Sequence, residues 1–196
     1  LKADLTSLPV VLALFSLWFF RDPERTVPTG PGEIVSPADG VVTQAEWIET
    51  SGGSRLRLSI FLSIFNVHVN RAPVAGTVRA VEYREGRFLS AMKRESAVAN
   101  EQTLVVIDAG GYEVSYKQIA GLLARRIVCT VKAGDRVERG QRVGMIKFGS
   151  RVDILIPADA VPKVDVESRV RGGSTVLAVL PQTAGNAADA AAEAVS

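Results

Sequence analysis

Three residue types in this sequence could together activate a hydroxyl group: an aspartate, a histidine and a serine. They occur in the chain order Asp39, His68 and Ser150. An imidazole oriented by a carboxylate can take the proton of a serine hydroxyl and leave its oxygen nucleophilic. His68 is the only histidine in the sequence, so it is the only side chain whose ordinary pKa lies near 6.5. The set therefore predicts nucleophilic chemistry near neutral pH.

The serine also has a second use, because it directly follows Gly149. The hydroxyl of Ser150 could attack the carbonyl carbon of Gly149, which carries no side chain to hinder the approach. Such an attack would cut the chain and leave a chemically modified amino terminus, so the chain would make its own cofactor. Apolar residues flank the pair, which places this peptide bond near a sheet rather than in a long surface loop.

Polar residues alternate with apolar ones around the histidine. Strand alternation would place Asn66, His68 and Asn70 on one face, which we interpret as a substrate-binding face. Each residue also has a simpler interpretation. The histidine could be a hydrogen-bonded structural residue, Asp39 could serve its turn alone, and Ser150 could be an ordinary turn serine.

Composition excludes several classes of function. The chain has 196 residues and a formal net charge of +2, which indicates one domain and argues against broad nucleic-acid binding. Cys129 is the only cysteine, so no internal disulfide can form. It lies in an apolar run that predicts a strand, where a thiol packs inertly. With one cysteine and one histidine, we expect no metal site.

The amino-terminal region is a thirteen-residue apolar run from Leu8 to Phe20, broken only by a proline and a serine. A bilayer-spanning helix needs about 20 residues. The run could be the end of a longer membrane helix, an interfacial anchor or a buried core helix, and we favour membrane attachment. We therefore assign residues 1–22 to a membrane-associating segment. Because the first residue is leucine, we also expect the chain to be a fragment of a longer product.

The rest of the chain shows the pattern of a β protein. Short Val-, Ile- and Leu-rich runs are separated by Gly and Pro every eight to twelve residues. Residues 21–32 predict a linker or extended arm, and residues 90–100 show only weak helical periodicity. We assign residues 23–182 to a catalytic domain and the Ala-rich residues 183–196 to a disordered tail.

Two internal repeats refine the fold class. Residues 135–146 align with residues 168–179, and residues 37–42 resemble residues 73–78. The segment that begins at Val131 resembles the hairpins of lipoyl and biotinyl domains. The predicted fold is mainly β, with a barrel-sandwich hybrid-like core, lipoyl-like hairpins, a few short helices and an N-terminal hydrophobic helix.

Taken together, several separate segments resemble the phosphatidylserine decarboxylase family, in its short bacterial and archaeal form. The resemblance runs from Phe19 to about Ala178. It rests on the segments Phe19–Arg25, Ser36–Gly40, Phe61–Pro73, Gly86–Phe88 with Asn100–Glu101, Gln118–Ile127 and Phe148–Ser150.

The resemblance implies a self-cutting proenzyme. The Gly149–Ser150 bond would break into chains 1–149 and 150–196, and Ser150 would become a covalent pyruvoyl group. Asp39, His68 and Ser150 match the family's Asp, His and Ser. Longer relatives have a second histidine where this chain has Arg71, so His68 would serve both cutting and turnover.

The implied reaction is decarboxylation of phosphatidylserine to phosphatidylethanolamine and CO₂, with the pyruvoyl ketone taking up the electrons released. The implied partners are the phospholipid substrate and the membrane, and the implied location is the cytoplasmic face of the cell membrane. The two chains of one precursor would stay together, and a homodimer remains open. We assign the lipid phosphate to Arg125 and Arg126, because guanidinium groups match phosphate oxygens.

Three other functions stay open. An archaetidylserine-type decarboxylase would use the same residues, and so would a membrane-associated hydrolase. A lipoyl-like binding module would explain the hairpins alone. Intact mass separates these classes, because a self-cutting enzyme splits, a hydrolase stays whole and a carrier gains mass.

Overall fold

The prediction of a mainly β protein is confirmed in a computed structural model, which describes residues 7–92, 95–122, 126–147 and 149–181. In these ranges the chain forms fourteen strands and two helices. The helices are α1 (Ser7–Phe19) and α2 (Ser96–Ala99). The strands are β1 (Glu33–Val35), β2 (Gly40–Thr50), β3 (Gly53–Leu62), β4 (Val69–Arg71), β5 (Gly76–Arg84), β6 (Gln102–Asp108), β7 (Glu113–Ile119), β8 (Ile127–Cys129), β9 (Arg136–Val137), β10 (Arg142–Ile146), β11 (Ser150–Pro157), β12 (Val161–Pro162), β13 (Arg169–Val170) and β14 (Val176–Val179).

An eight-stranded antiparallel sheet dominates the fold. Its strand order is β13-β2-β3-β11-β7-β6-β5-β9, and it curls into a half-barrel. Two three-stranded sheets, β1-β14-β12 and β4-β10-β8, complete the domain. Strand β11 lies inside the large sheet and pairs with β3 on one edge and β7 on the other. Its first residue, Ser150, pairs with β3 alone, and the pairing with β7 begins one residue later, at Arg151.

The core lies against one face of the large sheet, and alternation in the strands creates it. In β3, Leu56, Leu58 and Ile60 are buried at every second position. Strand β11 contributes Val152 and Ile154 in the same way. Because successive side chains of a strand point to opposite faces, this period-two pattern brings both sets into one cluster.

The internal repeats correspond to repeated structure. In each long repeat a two-residue strand, β9 or β13, precedes a turn and a longer strand, β10 or β14. Strands β9 and β13 form the two opposite edges of the large sheet. The predicted turn at residues 51–54 is also present, since Thr50 pairs with Gly53 in the β2–β3 hairpin. The weak periodicity of residues 90–100 yields only the single turn of α2.

Helix α1 exposes almost all of its apolar side chains, Leu17 being 75% exposed. Its last residue, Phe19, is the exception, with 1% exposure. No helix among the described residues is both long and apolar enough to cross a membrane. The predicted tail at residues 183–196 lies outside the described residues.

An extended arm follows α1 and is tied to the domain by ion pairs. Asp22 accepts hydrogen bonds from Arg71, at 2.9 Å, and from Arg142. Arg25 reaches further and binds Asp39 at 2.8 Å. Arg71 is itself buried and donates a second hydrogen bond to the carbonyl of Gly140 at 3.0 Å. The arm therefore links the apolar helix to the turn that carries Asp39.

Candidate active site

Ser150 is the first residue of β11 and lies opposite Leu62 of β3. Its hydroxyl is completely buried and forms no hydrogen bond with any other described residue. Gly149 precedes it with a φ of +60°, a left-handed conformation that glycine adopts without steric cost. The pair thus joins the end of β10 to the start of β11, as the flanking apolar residues predict.

The carbonyl group of Gly149 rests against a second glycine. A Cβ atom added to Gly121 would overlap the carbonyl oxygen of Gly149, so the close approach requires a residue without a side chain at position 121. Gly121 lies just beyond the end of β7, far from Gly149 in sequence. A Cβ atom on Gly149 itself would meet nothing within 4 Å. The peptide bond before Ser150 is therefore supported on one side and open on the other.

His68 lies in the segment between β3 and β4 and is brought close to the same end of β11. Its carbonyl accepts a hydrogen bond from the amide of Ile146 at 3.3 Å, four residues before Ser150. The side chain is completely buried, and the ring of Phe19 lies 4.3 Å from its ring centroid. Neither imidazole nitrogen forms a hydrogen bond with a described residue.

Burial lowers the pKa of His68 from 6.5 to about 4. The main chain of Asn66 is near the imidazole without forming a regular hydrogen bond to it, and it partly offsets the lowering of this pKa. The positive charge of Arg21 lowers the pKa further. A buried imidazole disfavours the charged form because it loses its hydration. His68 is therefore neutral at pH 7 and can accept a proton. Because its pKa is lower in the folded state, stability falls as the pH drops from about 6.5 towards 4.

The strand alternation that was expected to place Asn66, His68 and Asn70 on one face is not observed. Strand β4 covers only residues 69–71, and Asn66 and His68 precede it in a segment without strand structure. The two asparagines have separate surroundings. Asn66 accepts hydrogen bonds from the amide and hydroxyl of Ser63, at 2.9 and 2.8 Å. Asn70 is buried and accepts a hydrogen bond from Gln118 at 2.8 Å. Their assignment to substrate binding stays a prediction.

Asp39 is held by two partners that the sequence does not reveal. One carboxylate oxygen accepts a hydrogen bond from Arg25 and the other accepts one from the amide of Gly172, both at 2.8 Å. No hydrogen bond joins Asp39 to His68 among the described residues. Arg25 belongs to the segment Phe19–Arg25 that carries part of the family resemblance, but the sequence did not show that Asp39 is its partner.

Of the two arginines assigned to the lipid phosphate, Arg125 lies outside the described residues. Arg126 is exposed at the start of β8, and its carbonyl accepts a hydrogen bond from the amide of Lys147 at 3.5 Å. This contact brings its main chain close to the segment that leads to Ser150. Its role in phosphate binding stays a prediction.

The site therefore combines a neutral imidazole and an unpartnered hydroxyl in a dry environment. Buried polar groups without partners are rare and costly, so this pair of reactive groups calls for an explanation. Phe19 is the residue that sequence reasoning missed here. It was grouped with the apolar run, and nothing in the pattern distinguished it from its exposed neighbours.

Replacing Phe19 by Ala is expected to hydrate the imidazole and move the pKa of His68 from about 4 towards 6.5. Nuclear magnetic resonance of the tag-free protein can follow this titration directly, because the sequence has one histidine. Leu17→Ala, an exposed position on the same helix, is the matched control and should leave the pKa unchanged. An unchanged pKa in Phe19→Ala would contradict the shielding role of this ring.

Comparison with known proteins agrees with the geometry of the site. The phosphatidylserine decarboxylase family profile matches residues 12–178. A phosphatidylserine decarboxylase proenzyme from Solibacter usitatus is 49% identical over 179 residues, covering 91% of this chain and 85% of the relative. The proenzyme from Chlorobium phaeovibrioides is 45% identical over 183 residues, covering 92% and 83%. Similarity of this extent, across nearly the whole of both proteins, shows that the chain belongs to the phosphatidylserine decarboxylase family.

Proposed function

We propose that this chain cuts itself at the Gly149–Ser150 bond and forms its pyruvoyl group from Ser150. Phosphatidylserine decarboxylation is the activity of the family, and its cofactor is a pyruvoyl group derived from a serine. The observation that carries the proposal is the buried, unpartnered hydroxyl of Ser150 next to the supported carbonyl of Gly149. These residues fit the group, because an atom about to react needs to be free of competing hydrogen bonds.

The cut follows from the groups present. His68 takes the hydroxyl proton of Ser150, whose oxygen bonds to the carbonyl carbon of Gly149. The Gly149–Ser150 C–N bond then breaks, and the nitrogen takes the proton from His68 to give a free amine and an ester. Removal of the α-proton of Ser150 breaks its Cβ–O bond, which leaves Gly149 as a carboxylate and residue 150 as dehydroalanine. Water hydrolyses the latter to the ketone and ammonia.

The pyruvoyl group would supply the electron sink for loss of CO₂ from the substrate. The chain's own residues provide the environment. His68, neutral at pH 7, is available to move a proton near residue 150. Burial keeps water away, which favours loss of the charged carboxylate as neutral CO₂.

Asp39 is proposed as the residue that orients His68, and its contacts set a condition on that role. Both carboxylate oxygens are occupied, one by Arg25 and one by the amide of Gly172. A hydrogen bond to His68 therefore requires one of these contacts to open. Otherwise Asp39 serves the site by fixing the arm.

Membrane association is proposed on the basis of α1. A helix that is apolar on all sides is stable only when it is buried in protein or lipid, and α1 is packed only at its aromatic end. We propose that the protein is peripherally associated with, or anchored to, the cytoplasmic face of the cell membrane. Residues 1–22 would be the membrane-associating segment and residues 23–182 the catalytic domain. The repeated strand–turn–strand units, β9 to β10 and β13 to β14, also support a barrel-sandwich hybrid core, although the two strands of each unit join different sheets and do not form the predicted hairpin.

Self-cutting can be tested by intact mass. The unchanged protein should give two chains that part between residues 149 and 150, and Ser150→Ala should remain whole and inactive. Ser51→Ala is the control, since Ser51 is exposed in the turn between β2 and β3, and it should cut normally. A whole, unmodified chain that still decarboxylates phosphatidylserine would rule out the mechanism.

The two roles of Asp39 make opposite predictions for Arg25. If Asp39 orients His68, Asp39→Asn should slow cutting by about 100-fold or more, whereas Arg25→Gln frees the carboxylate and should not slow it. If Asp39 only fixes the arm, both variants should slow cutting to a similar extent. The rate is followed as loss of the uncut precursor, and equal slowing would contradict the orienting role.

Membrane binding through α1 can be tested with two truncations. Removing residues 1–17 keeps Phe19 and should lower binding to lipid vesicles by more than about tenfold, because several exposed apolar side chains are lost. Cutting should continue. Removing residues 1–20 also removes Phe19 and should slow cutting as well. Vesicle binding that is unchanged in both truncations would contradict membrane association through α1.

A further inference from the structure

A cavity of about 810 Å³ lies beside Asp39, and neither His68 nor Ser150 lines it. Three segments line it: residues 39–41, 63–66 and 169–175. It sits at the β13 edge of the large sheet, where β13 pairs with β2. A cavity of this size accommodates a small ligand rather than single water molecules.

The lining of this cavity is cationic. Its charged residues are Asp39, Arg169 and Arg171. The carboxylate of Asp39 is already bound at both oxygens, by Arg25 and by the amide of Gly172. By contrast, the guanidinium groups of Arg169 and Arg171 form no hydrogen bond or ion pair with another described residue, and both residues are exposed. Two free guanidinium groups at one cavity favour an anion with several oxygens, above all a phosphate group.

One wall of the cavity is apolar and leads to α1. Phe65 lines the cavity and is 66% exposed. The ring of Trp18 contacts it edge-on, with centroids 6.2 Å apart, and Arg21 donates a hydrogen bond to its carbonyl at 2.7 Å. The exposed apolar surface of α1 therefore begins where the cavity opens. A ligand with a phosphate group and hydrocarbon chains matches this combination of charged and apolar surfaces. A soluble phosphate compound has no hydrocarbon chains to contact the apolar wall.

The sheet also sets the distance from the cavity to the reaction centre. Neighbouring strands place Arg169, Val41, Phe61 and Arg151 side by side. Three strand spacings give about 14 Å between the Cα atoms of Arg169 and Arg151. Arg151 is adjacent to Ser150. An extended arginine side chain and a serine–phosphate headgroup can bridge this distance together.

We propose that Arg169 and Arg171 bind the phosphodiester group of the phospholipid whose amine reaches residue 150. The proposal rests on the proposed function and adds the residues that recognise the headgroup. It gives the phosphate a place on the α1 side of the site, whereas Arg126 lies on the β8 side.

The test is a comparison of Michaelis constants in fully cut enzyme. Arg169→Gln with Arg171→Gln should raise the KM for phosphatidylserine by about 10- to 100-fold, the effect of losing charge-assisted hydrogen bonds. The kcat and the extent of self-cutting should stay within about twofold of the unchanged enzyme. Arg136→Gln is the matched control, because Arg136 occupies the equivalent position of the other long repeat, at the opposite edge of the sheet. It should leave the KM unchanged.

Two lipid preparations distinguish the substrate from the surrounding membrane. With short-chain phosphatidylserine below its micelle concentration, a raised KM in the double variant supports the proposal. If only binding to phosphatidylglycerol-containing vesicles falls and this KM does not change, the arginines bind bulk anionic lipid and the proposal is overturned. An unchanged KM for short-chain phosphatidylserine together with unchanged binding to the vesicles overturns it too. If the double variant is insoluble, Arg171→Gln alone is tested against the same criteria.

Failure of this proposal is distinguishable from failure of the proposed function. An unchanged enzyme that is cut and active, with a double variant of normal KM, rejects only the assignment of the two arginines. An unchanged protein that stays whole and inactive on phosphatidylserine rejects the proposed function itself.

Discussion

The pairing of β11 along both edges is the constraint on which the rest of the structure depends. Residues 150–157 are matched with β3, and residues 151–155 are matched with β7. Each backbone hydrogen bond adds about 1 kcal/mol net, and the apolar side chains of β11 are buried in the core. A break immediately before residue 150 therefore removes no strand from the sheet. The downstream strands β13 and β14 are held in the same way, through β2 and β1.

The same sheet allows polar groups to be buried without partners. His68, which lies against the ring of Phe19, and Ser150, at the start of β11, are both completely buried and keep hydrogen-bonding atoms unsatisfied. Such groups reduce the stability of the folded state. The extensive pairing of the large sheet and the ion pairs of the arm offset that loss. Reactivity and stability are thus assigned to different parts of one small domain.

Much of the fold could be predicted because its causes are local. The alternation of Leu56, Leu58 and Ile60 indicates a half-buried strand, and the repeat around β9 and β10 reappears around β13 and β14. The serine, the histidine and the aspartate could be selected from their chemistry and from the family resemblance. Alternation failed around His68 because the residues before Val69 do not form a strand, so their side-chain directions have no period of two.

The contacts that shape the site could not be predicted, because they join distant segments. The pairing of Arg25 with Asp39 depends on the course of an arm without regular structure. The position of Phe19 depends on how one end of an apolar helix docks, and every residue of that run has the same pattern in sequence. The cationic cavity requires β13 to lie beside β2, which no local rule predicts.

The residue type at position 121 affects the Gly149–Ser150 peptide bond, although the two are far apart in sequence. A side chain there would overlap the carbonyl oxygen of Gly149, so the chain around that carbonyl would have to shift. Under the proposed mechanism, the smallest residue at position 121 sets the angle at which the hydroxyl of Ser150 meets the carbonyl carbon. Under the same proposal, the timing of proenzyme maturation would be sensitive to a residue that forms no part of the cut bond and carries no reactive group.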